Sequence, residues 1–206
     1  MKIITISREF GSGGRELGKR LAEELGIHCY DHEIIELIAK EHGFDERYVA
    51  NISEKCIEAA YPTTIGHRFA MPPVQIMDQG FQVAAAQQQI IENFAKQGDC
   101  VIVGRCGDYV LRDRKDVLRV FVYAPKEWRL AYGKENNMLQ AKDEKGIKDE
   151  IDKTDRNRAA YYNYYTQNRW GDAHNYDLAI NAALGHDACV NMILAAAEAK
   201  EKAMEG

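Results

Sequence analysis

The stretch KIITISREFGSGGRELGKRLAEELG, residues 2–26, decides how the chain is read. Lys2–Ser7 is a short β-branched run and predicts a buried strand, because branched side chains pack well on a pleated surface. Gly11-Ser12-Gly13-Gly14 ends that run and lets the backbone turn sharply with little side-chain bulk. From Arg15 to Leu25 the positions Leu17, Leu21, Ala22 and Leu25 recur at helical spacing, and Gly26 supplies the stop. A strand, a glycine-rich loop and a helix in this order suit phosphate. Successive N–H groups point inward and the helix N-terminus adds partial positive charge. Arg8 enters the loop and Arg15 falls in the first helical turn, where each is placed to neutralise an anion. Phosphate or nucleotide binding is therefore assigned to Arg8, Gly11, Ser12, Gly13, Gly14, Arg15 and Glu16.

Two familiar patterns fit this loop only in part. The dinucleotide pattern GxGxxG fails, because Glu16 stands where its third glycine belongs. Aligned on Gly13, the pattern GxxxxGK[S/T] meets Arg8 at its first glycine, Gly14 at its lysine and Arg15 at its Ser/Thr. Taken alone, the segment leaves open a glycine-rich turn with no ligand.

Outward from the loop, Ile27–Tyr30 reads as a second short strand, and Asp31 is placed to cap a helix over Glu33–Glu41. Residues 43–75 are irregular, interrupted by Pro62, Pro72 and Pro73, with Thr63–Gly66 read as a loop. Asp78–Lys96 predicts a long helix; Cys100–Val103 and Leu118–Tyr123 predict buried strands; Pro125 opens a further helix. The mixed charges of Asp143–Asp155 read as a solvated helix face or as a mobile lid over a ligand. Tyr176–Asn181 is a last strand and His186–Lys202 a closing amphipathic helix. Strands alternating with helices predict a three-layer α/β/α fold with a mainly parallel sheet in one domain.

Two more segments carry chemistry. In VIVGRCGDYVLRD, residues 101–113, Gly104, Arg105 and Asp108 follow the end of a buried strand, the edge where open α/β sheets bind ligands. Arg105 could fork onto a phosphate, and Asp108 could orient an arginine or a magnesium-bound water; a turn with a surface salt bridge is the plain alternative. In DRNRAAYYNYYTQNRW, residues 155–170, Asp155, Arg156 and Arg158 fall within one helical turn, so two arginines could close on charge that develops during phosphoryl transfer. Tyr161, Tyr162, Tyr164 and Tyr165 read as packing groups rather than base-stacking ones.

Composition sets the exclusions. The chain has 206 residues and a net charge of −5, which gives no support for a nucleic-acid partner. No run of roughly 18 apolar residues occurs, so no membrane partner is expected, and MKIITIS is too short for a signal peptide. The cysteines, Cys29, Cys56, Cys100, Cys106 and Cys189, are odd in number and include no CxxC. They are expected as reduced thiols of a cytoplasmic protein, not as a disulfide framework or zinc site. The histidines show no HExxH spacing, and no GxSxG element occurs.

Together the segments ITISREFGSGGRELGKRLAEELG, YDHEII, VIVGRCGDYVL, TDRNRAAYY and YDLAIN resemble the cytidylate kinase-like proteins, a branch of the phosphate-loop nucleoside monophosphate kinases. They occur in the family's order over nearly the whole chain. The resemblance implies transfer of the γ-phosphoryl of ATP to CMP, dCMP or a related small acceptor, with Mg2+. By position, Gly11–Arg15 would cradle the donor phosphates. Asp31 lines up with the aspartate before a nucleotide-contacting serine, which is His32 here. Arg105 lines up with the arginine of a DGRD segment that contacts the acceptor phosphate, and Asp155 and Arg158 with an Asp–Arg pair that contacts the acceptor nucleotide. Arg129 falls in the lid. The implied catalytic residues are Arg15, Arg129 and Arg158; the acceptor-binding residues are Asp31, Arg105, Asp108, Asp155 and Arg158; no metal ligand is assigned.

The implied subregions are a core of 1–43 and 99–125, an acceptor-binding insert of 44–98, a lid of 126–158 and a closing core of 159–206. Small-molecule nucleotides are the implied partners, and the tyrosine-rich 161–170 segment with the glutamine-rich helix is the face expected for a homodimer. The chain departs from the family's pattern at the loop lysine, which is Gly14, and at the hydroxyl beyond it, which has no clear counterpart. The DGRD aspartates are Val103 and Cys106. Two further readings follow: a nucleotide-binding sensor or regulator without transferase activity, and a kinase for a non-nucleotide metabolite.

Overall fold

The computed structural model describes residues 2–55, 63–65, 68–70, 74–141 and 143–205. Its strands are β1 (Ile3–Arg8), β2 (His28–Tyr30), β3 (Thr63–Ile65), β4 (Arg68–Ala70), β5 (Cys100–Val103), β6 (Val117–Tyr123) and β7 (Leu178–Asn181). Its helices are α1 (Gly14–Leu25), α2 (Glu33–His42), α3 (Glu46–Lys55), α4 (Val74–Gln97), α5 (Gly107–Val110), α6 (Lys126–Glu135), α7 (Glu144–Thr166) and α8 (His186–Glu205). Five strands form one parallel sheet in the order β2-β5-β1-β6-β7, while β3 and β4 form a separate antiparallel pair.

Strand alternation sorts the core onto two faces. Ile4 and Ile6 of β1, Val101 and Val103 of β5, and Val120 and Val122 of β6 pack with Leu17 and Leu21 of α1 and Ile193 of α8. The residues between them, Ile3, Cys100, Ile102 and Val117, pack on the other side with Ile34 and Ile38 of α2 and Ile91 of α4. Each fully buried branched side chain here contributes about 1.5–3 kcal/mol relative to exposure. The three-layer parallel architecture expected from the alternation of elements is the one found.

The differences lie in residues 43–75 and at Asp31. A helix, α3, begins where irregular chain was expected. Its signal is Asp45, whose carboxylate accepts the N–H groups of Arg47 and Tyr48 at 2.9 and 3.1 Å and so caps the first turn. Thr63–Ile65, expected in a loop, is β3 and pairs with β4; Pro62, Gly66, Pro72, Pro73 and Cys56 lie outside the described residues. Asp31 does not cap α2. The residue at the cap position is His32, and the Asp31 carboxylate is turned to Arg15 instead.

Candidate functional site

β1 and β5 are neighbours in register, with Ile6 opposite Val103, so the chain leaves both at the same edge of the sheet. The Gly104 N–H donates to the Ile6 carbonyl at 2.9 Å and holds the two exits together. After β1, the Glu9 N–H donates to Val122 O at 3.0 Å and the Ser12 N–H to Glu9 O at 3.3 Å, which folds the loop tightly. Gly13 has φ 73°, a left-handed backbone that favours glycine, and its carbonyl accepts the Leu17 N–H at 2.9 Å to start α1. At Gly14, the position that the resemblance aligns with a lysine, any Cβ would lie 2.6 Å from the Cβ of Arg8. A side chain at position 14 therefore does not fit this backbone beside Arg8 unless one of the two shifts. The Ser12 hydroxyl is fully buried and donates to Glu9 O at 2.9 Å, so it serves the loop and not the cleft.

A cleft of about 450 Å³ opens beside this loop, lined by Arg8, Gly11, Gly13, Gly14, Arg15 and Glu16 of the loop region, by Asp31, and by Arg105 and Arg158 from across the sheet edge. Arg15 Nε meets Asp31 Oδ2 at 2.5 Å, and Arg8 Nη2 lies 3.8 Å from Asp31 Oδ1. Arg158 donates from Nη1 to the Arg8 carbonyl at 3.1 Å, with its guanidinium 5.6 Å over the ring of Phe10. Arg8, Arg105 and Arg158 also line an adjoining cavity of about 40 Å³ with Ser7, Tyr161 and Trp170. Guanidinium groups lining one cleft carry like charge, and an anion between them relieves their repulsion.

Arg129 and Asp155 do not line this cleft. They sit behind the loop, where Arg129 is 7% exposed. Arg129 Nη1 meets Asp155 Oδ2 at 2.5 Å and donates to Phe10 O at 3.1 Å, while Asp155 Oδ1 accepts the Phe10 N–H at 2.7 Å. Glu9 closes the group, 3.5 Å from Arg129 Nε and accepting the Ala124 N–H at 3.2 Å. Burial pushes the Glu9 carboxyl above its usual range, with Arg129 acting in the opposite direction. The lid arginine and the acceptor-contacting aspartate expected from the sequence are thus brought together as a strut that fastens the loop to α6 and α7. Arg156 is exposed on α7.

The exit from β5 is built differently. Gly104, Arg105 and Cys106 all have left-handed backbones, at φ 76°, 55° and 54°. Two consecutive non-glycine residues there store strain that surrounding contacts must offset. Gln87 of α4, 3% exposed, donates to the Arg105 carbonyl at 2.9 Å. Asp108 is buried beneath the cleft and lines neither cavity. It accepts the Tyr162 hydroxyl at 2.6 Å and the Ser7 hydroxyl at 3.3 Å. Burial raises its carboxyl above the usual value, and burial with the Asp108 charge drives the Tyr162 phenol far above its own. Burial likewise raises the Cys106 thiol well beyond its ordinary value, so this cysteine is no nucleophile.

Sequence reasoning missed several cleft residues. Lys19 lines it, four residues after Arg15 on the same helix face. Tyr132 lines it too and stacks on Trp128 with ring centroids 4.9 Å apart, an aromatic pair at helical spacing that was readable. Outside the cleft lining, His186 at the start of α8 faces Gly13, which no local pattern announced.

The loop's backbone suits donor phosphates, with small residues from Gly11 to Gly14 all buried and none intruding on the cleft. A resident Mg2+ is a different matter. Among the described residues there is no group of three or more His, Cys, Asp or Glu side chains able to hold a metal ion, and Ser12 is turned away. The described side chains thus form no preassembled metal centre, and Mg2+ is bound in such sites largely through substrate phosphates.

Residues 3–183 match the model of the cytidylate kinase-like family, and the chain belongs to that family. The family implies ATP use and, with the fold, supports a kinase-like phosphotransferase. Among solved structures, the chain is similar to an uncharacterized protein from Eubacterium ventriosum ATCC 27560, at 26% identity and a TM-score of 0.71, over 96% of this chain and 99% of that one. It shares its fold with shikimate kinase from Bacteroides thetaiotaomicron, at 14% identity and a TM-score of 0.53, over 100% and 99% of the two chains. It also shares it with TT1252 from Thermus thermophilus, at 13% identity and a TM-score of 0.54, over 94% and 96%. No curated protein matches. Among the described residues no helix is long and apolar enough to cross a membrane.

Proposed function

We propose that this member of the cytidylate kinase-like family transfers the γ-phosphoryl of ATP to a small acceptor that carries an anionic group, with CMP and dCMP the first acceptors to test. The observation that carries the reading is the convergence of Arg8, Arg15, Arg105 and Arg158 on one cleft beside the glycine loop. Phosphoryl transfer is catalysed chiefly by positioning and by charge set against the transferring group. In this reading the loop amides and Arg15 hold the donor phosphates, and Arg105 and Arg158 hold the acceptor's anion. Arg8, whose Cβ crowds any side chain at position 14, faces the acceptor's anion with Arg105 and Arg158. Arg15 supplies the donor-side charge that typical cytidylate kinases, which the chain resembles, take from a lysine, and its fork differs in shape from an ammonium, so the donor geometry differs as well. Mg2+ is taken to arrive with the ATP phosphates, and no step is assigned to it. Arg129 and Asp155 act on the chemistry only by holding the loop.

The test is a coupled ADP-release assay over nucleoside monophosphates and small phosphorylated or carboxylated acceptors. Turnover with CMP or dCMP supports the nucleotide version, and turnover with another acceptor alone replaces it. The Arg15–Asp31 ion pair favours a second reading, a nucleotide-binding sensor, because an internal carboxylate already occupies the loop's exposed cation. Stabilisation by ATP with no turnover on any acceptor would select that reading.

A further inference from the structure

Beneath the cleft, Ser7, Asp108 and Tyr162 form a hydrogen-bonded cluster that the phosphate chemistry above leaves unused. The three side chains are 5%, 3% and 3% exposed. Burying a carboxyl costs free energy even when it is well hydrogen-bonded, and apolar residues of similar volume would fill such a space at less cost.

Each member of the cluster is tied along its own backbone to one cleft arginine. Ser7 directly precedes Arg8 at the end of β1. Asp108 follows Arg105 by three residues, through the left-handed turn into α5. Tyr162 follows Arg158 by four residues on α7, one turn along the same helix face. One Asp108 oxygen holds the β1 member and the other holds the α7 member. The carboxylate therefore joins the three elements that bring Arg8, Arg105 and Arg158 to the 40 Å³ cavity.

We infer that Asp108 is a positioning residue which, through Ser7 and Tyr162, fixes the mutual spacing of Arg8, Arg105 and Arg158 and so selects an acceptor group of the size of one phosphate or carboxylate. The inference rests on the acceptor reading above for the ligand, but not for the spacing. Directed hydrogen bonds suit the task, because guanidinium forks recognise an anion only when aimed, and apolar packing would leave the three elements free to slide.

The test compares the wild-type protein with Tyr162→Phe, which removes one hydroxyl, and Asp108→Asn, which keeps the volume but leaves one acceptor oxygen. Inorganic phosphate and ATP are titrated separately by calorimetry, and the Tyr162→Phe crystal structure is solved. Displaced arginines and phosphate binding weakened about tenfold, with ATP binding within about twofold, are expected, since misplacement by an ångström is costly at such sites. Guanidinium spacing unchanged in Tyr162→Phe overturns the inference, whatever the ligand. Phosphate and ATP weakened equally overturn it too, since the cluster would then be general support. If the spacing shifts while wild type binds no phosphate, the positioning role stands and the anionic-acceptor reading fails. Should Asp108→Asn fold poorly, Ser7→Ala takes its place.

Discussion

The turn after β1 and the turn after β5 leave adjacent parallel strands at the same edge of the sheet, and both deliver groups to one cleft. Their construction differs. The first uses left-handed glycines, buried small residues and backbone hydrogen bonds, and it runs into the 12-residue helix α1. The second places two non-glycine residues in left-handed backbone, fastens the first of them with Gln87, and runs into the four-residue α5, whose Asp108 is bonded to Ser7 and Tyr162. A backbone-built turn presents N–H groups and tolerates no added atoms. A turn held by side chains presents a side chain, and its shape depends on residues distant in sequence.

The sharpest way to break this contrast is Gly13→Ala. The backbone there has φ 73°, and an added Cβ would run into Nε2 of His186 and come within 3.3 Å of Tyr132. Left-handed backbone costs about 1–2 kcal/mol without glycine, and a forced contact costs about 1–3 kcal/mol, so a loss of about 3 kcal/mol in urea denaturation is expected. Adding His186→Ala should recover the contact part and leave the backbone part. A wild-type unfolding midpoint for Gly13→Ala would mean that the loop is not held by its backbone at all.

On the β5 side the corresponding large effect is one of pH. The Asp108 carboxyl is raised above its ordinary value of 3.8 because it is buried. A group raised in the folded state contributes stability that is fully present below its unfolded pKa and is lost as pH rises through the folded one. The stability of wild type relative to Asp108→Asn should therefore decline as pH rises from about 4. The slope is about 1.4 kcal/mol for each pH unit until the folded carboxyl ionises, after which the difference levels off. Urea denaturation of both proteins across roughly pH 4–8 measures it. A flat difference would make the cluster under the β5 turn as wet as a surface site.

The two turns were unequally legible in the sequence. The β1 loop could be read because its cause is local: a strand, four small residues and a helix within 25 positions. The β5 turn could be read only as far as Gly104 and Arg105 at a strand end. Gln87, Asp108 and Tyr162 act on it from 18, 3 and 57 residues away from Arg105, and a single chain does not announce such pairings. Arg129 and Asp155 illustrate the same limit. Their charges were visible and invited a role over the ligand, but a buried partner for each other and for Phe10 lies behind the loop. The helix α3 is hidden for another reason, since its cap Asp45 sits in a stretch whose prolines argue for loop.

Gly104→Ala probes the same contrast at lower cost. Its backbone is left-handed too, at φ 76°, but an added Cβ there would fall on the guanidinium of Arg8, the far end of a flexible side chain. A loss of about 1 kcal/mol in stability is expected, well short of the Gly13→Ala loss. Displacing Arg8 should weaken inorganic phosphate about tenfold, read by calorimetry. A stability loss as large as that of Gly13→Ala would make the two turns equally rigid and remove the distinction.

The smallest effect on folding, and the most informative about chemistry, belongs to Arg15→Ala. The Arg15 side chain is 58% exposed, and its partner Asp31 lies at the cleft wall. Pairs of this kind contribute about 0–1 kcal/mol, so the unfolding midpoint should barely move. ATP binding should fall about tenfold, because a charge-assisted contact to a donor phosphate would be lost. Asp31→Asn makes the opposite change: it releases Arg15 from an internal carboxylate, and ATP should bind more tightly without any gain in stability. If neither substitution alters ATP affinity, phosphate is held by the loop amides alone. The β1 turn would then act purely through its backbone, and every side chain that handles charge would come from across the cleft.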